Sequence, residues 1–288
     1  MHLARFAAVL LLAATPAWAA APPAPEDCDA ASGDCVQVNH WTVDVSIGAG
    51  VRTNPLVRTP ALPLIVIPQV SYYGKRFFLD NLEVGYTLVE GRNSTLSLIA
   101  SPGYDRAFFY RSDAQNLFIS SLSLDATQGG ASPPGVQGSP GAPGIPVTQP
   151  QSRRITYLAG PEWTGTFGDL TAQLDVLHDA TGAHHGTEVR SALRFPILRT
   201  ASSTVTANVG FTWKSSEIAR YYYGISDFYD PGATLNSFVK VAYVRPLGDH
   251  WRVTAFAHYE HLGSAIAASP LVAQNYVVTV FAGATYAF

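Results

Sequence analysis

The residues able to do chemistry in this chain are few and scattered. His258 and Glu260 stand two apart, His178 precedes Asp179, and His184 and His185 are adjacent. A catalytic histidine needs a carboxylate to orient it and a nucleophile or water within hydrogen-bond reach. Residues two apart on a strand share a face, so His258 and Glu260 can meet, but the sequence places no serine beside them. His184 and His185 point apart if extended, which makes a two-ligand metal site awkward. No glycine-rich phosphate loop or nucleotide-binding fingerprint appears. The expectation is a chain with no catalytic residues, cofactor or metal.

A larger polar set consists of Asp44, Glu83, Glu162, Asp175, Glu188, Arg190, Arg194, Lys214, Lys240, Arg252, His258 and Glu260. Each falls opposite an apolar row in a stretch that alternates with period two. Both signs are present. Charges that face one interior are expected to pair with each other and fill it; a selective pore lining or a small-molecule site is the alternative.

The elements that must position these residues are strands. Gln274 to Phe288 sets the pattern: Tyr276, Val278, Val280, Ala282, Ala284, Tyr286 and Phe288 form one apolar face, and Thr279, Phe281, Gly283, Thr285 and Ala287 the other. One face suits lipid and the other a polar lumen; the edge strand of a soluble β-sandwich is the competing reading. Tyr286 and the terminal Phe288 resemble the signal by which bacterial outer-membrane barrels are recognised by the barrel assembly machinery. The same alternation predicts strands at 41–51, 62–73, 76–79, 82–89, 94–104, 154–163, 170–178, 188–195, 204–213, 237–244 and 251–261, twelve with the terminal one. Counting 76–79 into the second strand instead would leave ten.

Connector lengths test this scheme. If the chain starts in the periplasm, the periplasmic connectors are 74–75, 90–93, 164–169, 196–203 and 245–250, all short, while those on the opposite side include the long ones, 52–61, 105–153, 214–236 and 262–273. Bacterial barrels show short periplasmic turns and long outer loops, whereas a soluble sandwich has no reason to sort loops by parity. The expected fold is therefore all-β: a closed antiparallel up-and-down transmembrane barrel of about twelve strands.

The amino terminus fits export. One charge, the nine apolar residues from Phe6 to Ala14, and Ala17-Trp18-Ala19 read as a signal peptide covering 1–19. No run approaches the roughly 20 apolar residues of a spanning helix, so only a barrel could place this chain in a membrane. Removing Arg5 makes the net charge one unit more negative than the −3 of the full chain. With no clustered Lys and Arg, nucleic acid is not a partner. Residues 20–40 form a periplasmic segment whose Cys28 and Cys35, seven apart in an oxidising compartment, are expected to pair. Residues 41–288 form the barrel as one domain. The long loop carries Gly135, Gly138, Gly141 and Gly144 at a period of three, too few triplets for a triple helix, and reads as solvated polyproline-type chain. Before it, 108–124 is open between a short helix and a strand extension.

Several stretches together resemble the MipA/OmpV family of outer-membrane proteins, the MltA-interacting proteins. They are V-S-I-G-A-G-V at 45–51, L-P-L-I-V-I-P with Y-Y-G-K-R-F-F-L up to Leu79, and L-E-V-G-Y-T-L at 82–88. Y-Y-G-I-S at 222–226, W-R-V-T-A from Trp251, H-L-G-S-A-I-A-A-S-P-L-V ending at Val272, and the closing Y-A-F follow in order. The cysteine segment and the Gly/Pro insert depart from the family pattern. The resemblance implies an outer-membrane barrel in contact with lipid, acting as a scaffold that joins a murein hydrolase, a lytic transglycosylase, to a murein synthase. Other members are linked with permeability, so a small-solute channel is the alternative; a barrel hydrolase is a third class.

Overall fold

In the computed structural model of the protein, the described residues are 39–110, 113–116 and 153–288. The expected signal peptide, Cys28 and Cys35 with their expected pairing, and the Gly/Pro triplets lie outside them. The strands are β1 (His40–Arg52), β2 (Leu62–Tyr73), β3 (Phe77–Asp80), β4 (Glu83–Glu90), β5 (Ser94–Pro102), β6 (Tyr157–Phe167), β7 (Leu170–Asp179), β8 (Thr187–Arg199), β9 (Thr204–Lys214), β10 (Thr234–Pro246), β11 (Trp251–His261) and β12 (Tyr276–Ala287). Each pairs with its sequence neighbour, and β12 closes on β1 to complete a barrel. The closing ladder runs antiparallel from Asp44 opposite Ala287 to Arg52 opposite Thr279. With every edge paired, the wall leaves no row of backbone amides to meet hydrocarbon.

The two faces separate as the alternation requires. Trp41, Ile47, Val51, Leu98, Leu174, Leu193, Phe211 and Val280 are exposed on the outside, while Asp44, Ser46, Asp175, Arg190, Lys240, Thr279 and Thr285 are buried inside. An apolar exterior of this extent is a lipid-facing surface rather than a soluble one. Rings gather at the periplasmic rim: Trp41, Tyr72 and Phe77 in sequence, Trp163 with Phe167, and Trp251, Tyr286 and Phe288. Such girdles mark a membrane interface. At the closing seam Gly48 faces Gly283. A Cβ on Gly48 would lie 2.2 Å from the carbonyl oxygen of Ala282, so only glycine fits that approach.

Some boundaries differ from the sequence reading. β8 continues to Arg199, because a bulge between Pro196 and Leu198 lets the strand pass a proline, and its turn shrinks to 200–203. β6 starts at Tyr157 rather than 154. Of the two alternatives left open at 108–124, the described residues show the short helix: a four-residue α1 (Arg106–Phe109) precedes a 3-10 turn at Ala114–Asn116. The outer turn between β3 and β4 is only Asn81-Leu82, with Asn81 at φ 53°. β3 therefore meets β2 only at Ser71–Tyr73. Just beyond that ladder, Asn81 takes over through its N–H to the Val70 carbonyl (2.7 Å) and its Oδ1 on the Val70 N–H (3.0 Å).

Candidate functional site

Two further helices, α2 (Ser216–Tyr223) and α3 (Ser264–Ala267), belong to the outer connectors after β9 and β11. In α2, Ile218, Ala219, Tyr222 and Tyr223 recur at helical spacing and are all buried. Leu56, Phe108, Ile218, Tyr222, Tyr223, Leu262, Ile266 and Val277 form one apolar cluster. Apart from Val277 on β12, its members come from the connectors after β1, β5, β9 and β11, four stations around the ring. A cluster joining them has to span the outer mouth.

Beneath this cap lies the tightest polar group. Lys214 Nζ pairs with Asp105 Oδ2 and stands 3.8 Å from Glu188 Oε2. Glu188 Oε1 accepts from Arg190 Nε at 2.6 Å, and Arg190 Nη1 donates to Ser101 Oγ at 2.9 Å. Tyr223 donates its hydroxyl to Asp105 Oδ1 at 2.7 Å. Burial, reinforced by the Asp105 charge, pushes the Tyr223 phenol well above its ordinary range, so it remains a donor. Ser269 Oγ in turn donates to the Tyr223 carbonyl at 2.7 Å, and Arg153 reaches the Tyr222 carbonyl through Nε and Nη2 while stacking on Phe109. The outer loops are thus tied to the inward strand charges by hydrogen bonds as well as by packing.

The remaining inward charges fall on two arcs. Asp80 on β3, Glu83 on β4, Glu162 on β6 and Asp175 on β7 form an acidic arc. Gln173 Nε2 bridges Glu162 (2.9 Å) and Asp175 (3.0 Å), and Asn81 donates to Asp80 at 2.9 Å. Across the lumen, Arg52, Lys240, His258 and Arg252 lie on β1, β10 and β11, with the carboxylates Asp44 and Glu260 among them. Arg252 pairs with Asp44, Arg52 reaches Asn116 (3.4 Å) and covers the Phe108 ring, and the Lys240 ammonium sits 5.7 Å from the Phe256 ring centre. Arg194 faces inward from β8, opposite Asn208 and Thr171.

The histidine candidates assemble no catalytic set. His258 stands opposite Lys240 and Thr279 with its ring beside Phe238. Glu260 accepts from Asn236 at 2.8 Å, and no ion pair joins it to His258 among the described residues. His178 and Asp179 sit on opposite faces: His178 is outside and bonded to Thr187, and Asp179 is buried inside. Asp179 instead organises its own loop, accepting the N–H groups of Thr181 (2.9 Å), His184 (2.7 Å) and His185 (2.9 Å). His185 adopts φ 53° to allow this. Among the described residues no group of three or more His, Cys, Asp or Glu is arranged to hold a metal.

A lumen walled by paired strands, lipid-facing outside and roofed by its own outer loops, defines an outer-membrane β-barrel protein with a covered mouth. A family model described as MltA-interacting protein MipA matches residues 47–288, and the chain belongs to this family. Putative outer membrane protein YiaT of Escherichia coli K12 is 25% identical over 265 residues, covering 85% of this chain and 91% of that one. Outer membrane protein OmpV of Vibrio cholerae is 29% identical over 146 residues, 47% of this chain and 55% of that one. Among solved structures, the in-vitro folded trimer form of OmpT from Vibrio cholerae aligns over 88% of this chain and all of that one, at TM-score 0.38 and 6% identity. The anion-selective porin of Comamonas acidovorans aligns over 86% of this chain and 99% of that one, at TM-score 0.34 and 8% identity. At these scores the structural likenesses carry no argument; the barrel rests on its own strand pairing, and the outer-membrane location also on the named relatives.

Proposed function

We propose that this protein is a non-catalytic interaction barrel of the outer membrane, a scaffold that holds murein-processing proteins against the membrane's periplasmic face. The observation that carries the reading is the apolar cluster across the outer mouth, which favours a structural body over a conduit. The family description supplies the class of partner: a murein hydrolase, joined in the scaffold reading to a murein synthase. Residues 20–40 are the segment assigned to that contact, because the periplasmic turns, such as 91–93 and 168–169, are too short to offer much surface. Capture from membranes with the mature chain should retain a murein hydrolase, and a chain lacking 20–40 should retain less. Failure of the intact chain to retain one would remove the scaffold reading.

The second reading is a small-solute permeability barrel, favoured by the gathering of Asp80, Glu83, Glu162 and Asp175 on one side of the lumen. Planar bilayers decide between them. A silent wild-type protein supports the scaffold; steady conductance whose ion preference changes on neutralising Arg190 or Arg252 supports the channel.

A further inference from the structure

Each strand of the wall has a neighbour on either side, but one ladder is short. Of the 12 residues of β2, three pair with β3, at Ser71–Tyr73, while the pairing with β1 runs on to Leu62. β4 in turn pairs with β5 only as far as Val84 opposite Ala100, which leaves Ser101 and Pro102 without a β4 partner. Beyond the Asn81-Leu82 turn, in the outer half of the barrel, the wall between β2 and β5 therefore lacks two strands among the described residues, a width of roughly 10 Å. The gap is framed at both ends. Asn81 holds its floor through Val70. At the outer end α1 crosses towards β2: Asn54 donates to the Phe108 carbonyl at 2.8 Å, and Ala107 and Phe108 line a small cavity together with Leu62.

The residues along this edge select what fits it. In an antiparallel ladder each residue directs its N–H and C=O to one side and the next residue to the other. Val70 directs its pair towards β3, where Asn81 answers both. Pro68, two residues on, directs its backbone to the gap and has no N–H. A strand adding to this edge would find no donor there, and an unmet carbonyl is the more readily tolerated of the two groups. Val66 and Pro68 stand opposite Ile47 and Val45, on the outer face. Ile65 beside them is 47% exposed, and Val66, Pro68, Val70 and Leu82 are half-buried. None of these side chains carries a charge or a hydrogen-bonding group. An apolar slot at membrane depth, closed to a strand, is complementary to hydrocarbon. Because the slot lies in the outer half of the wall, the hydrocarbon belongs to the outer leaflet. We infer that this gap is a lipid site, in which an acyl chain of an outer-leaflet lipopolysaccharide lies along the β2 edge against Ile65, Val66 and Pro68.

The test uses the full mature protein purified from outer membranes, with correct folding checked by heat-modifiable gel migration. After extensive detergent washing, native mass spectrometry should find lipopolysaccharide on the wild-type chain. Val66→Trp fills the slot and should retain at least about tenfold less, the equivalent of about two buried methylenes. Leu193→Trp puts the same bulk on the outer face of β8 and should retain as much as wild type. If Val66→Trp does not fold, Ile65→Trp, at an exposed position on the same edge, takes its place. A second measurement asks what covers the edge. A nitroxide on Ile65→Cys, in a chain with Cys28→Ser and Cys35→Ser, should be relaxed in bilayers by oxygen and not by a water-soluble nickel chelate. The proposal is overturned if wild type carries no lipid or phospholipid alone, or if the folded slot-filling variant retains as much as Leu193→Trp. It is also overturned if the nitroxide is shielded from oxygen, which would put protein rather than lipid on the edge.

Discussion

The two polar regions of the lumen are built from the same residue types and differ in how their charges are answered. Under the outer cap, Asp105, Lys214, Glu188 and Arg190 alternate in sign, so each carboxylate touches a cation. On the acidic arc, Asp80, Glu83, Glu162 and Asp175 share one cation at the edge, Arg190 opposite Asp175, and are otherwise partnered by amides and hydroxyls, such as Gln173 between Glu162 and Asp175. A buried ion pair is costly to break once assembled, because the surviving partner is left desolvated. Like charges held by a neutral bridge have the opposite character, since removing one relieves repulsion. The first arrangement locks loops onto the wall; the second leaves an unbalanced field inside it.

The largest expected effect therefore belongs to Lys214→Met. It keeps the length of the side chain and leaves Asp105 and Glu188 without their shared ammonium, which should cost about 3 kcal/mol in denaturant unfolding from micelles. Adding Asp105→Asn should return part of that loss, because the two residues share one interaction. Tyr223→Phe removes a single donor from the same node and should cost about 1 kcal/mol. Glu162→Gln sharpens the contrast: an acceptor for Gln173 stays, one of four like charges goes, and stability should hold or rise by less than about 1 kcal/mol. A loss for Glu162→Gln as large as that for Lys214→Met would erase the distinction between the regions.

Much of the wall was legible because a barrel strand is a local object. Period-two alternation fixed the face of Asp44, Asp175, Glu188, Arg190 and Lys240, and connector parity fixed the direction of every strand. The cap was not legible, because its contacts join residues far apart in the chain. Asp105 is the clearest case. Continuing the inward row Ser97, Ile99, Ser101 by two more steps reaches Asp105, but the chain has left the ladder by then. Only the loop fold shows that it meets Lys214, 109 positions away. Tyr222 and Tyr223 carried a signal in the spacing of four from Ile218 and Ala219, yet an outer connector gave no reason to look for a helical period. His178 and Asp179 failed as a pair for the reason that makes strands legible: neighbours on a strand face opposite ways.

The smallest expected effect lies at the edge of the cap, where a charge is avoided rather than paired. Burial holds the His184 imidazole below its ordinary pKa of 6.5. Asp179, Asp105 and Glu188 work against that shift, and His178 adds to it. The folded loop then binds fewer protons than the unfolded one at mildly acid pH, so its stability rises with pH and levels off above about 6.5. Acidification also attacks the geometry, since a protonated Nδ1 can no longer accept the Gly186 N–H. Amide exchange across 181–186, corrected for intrinsic rates, should therefore be faster at pH 5 than at pH 7, while the Lys214 node keeps its protection. His184→Gln should flatten that dependence, because its side chain has no proton to gain. Equal protection of 181–186 at both values in wild type would mean that the ring is not held neutral by its burial, and the two ends of the cap would then differ only in which residues they contain.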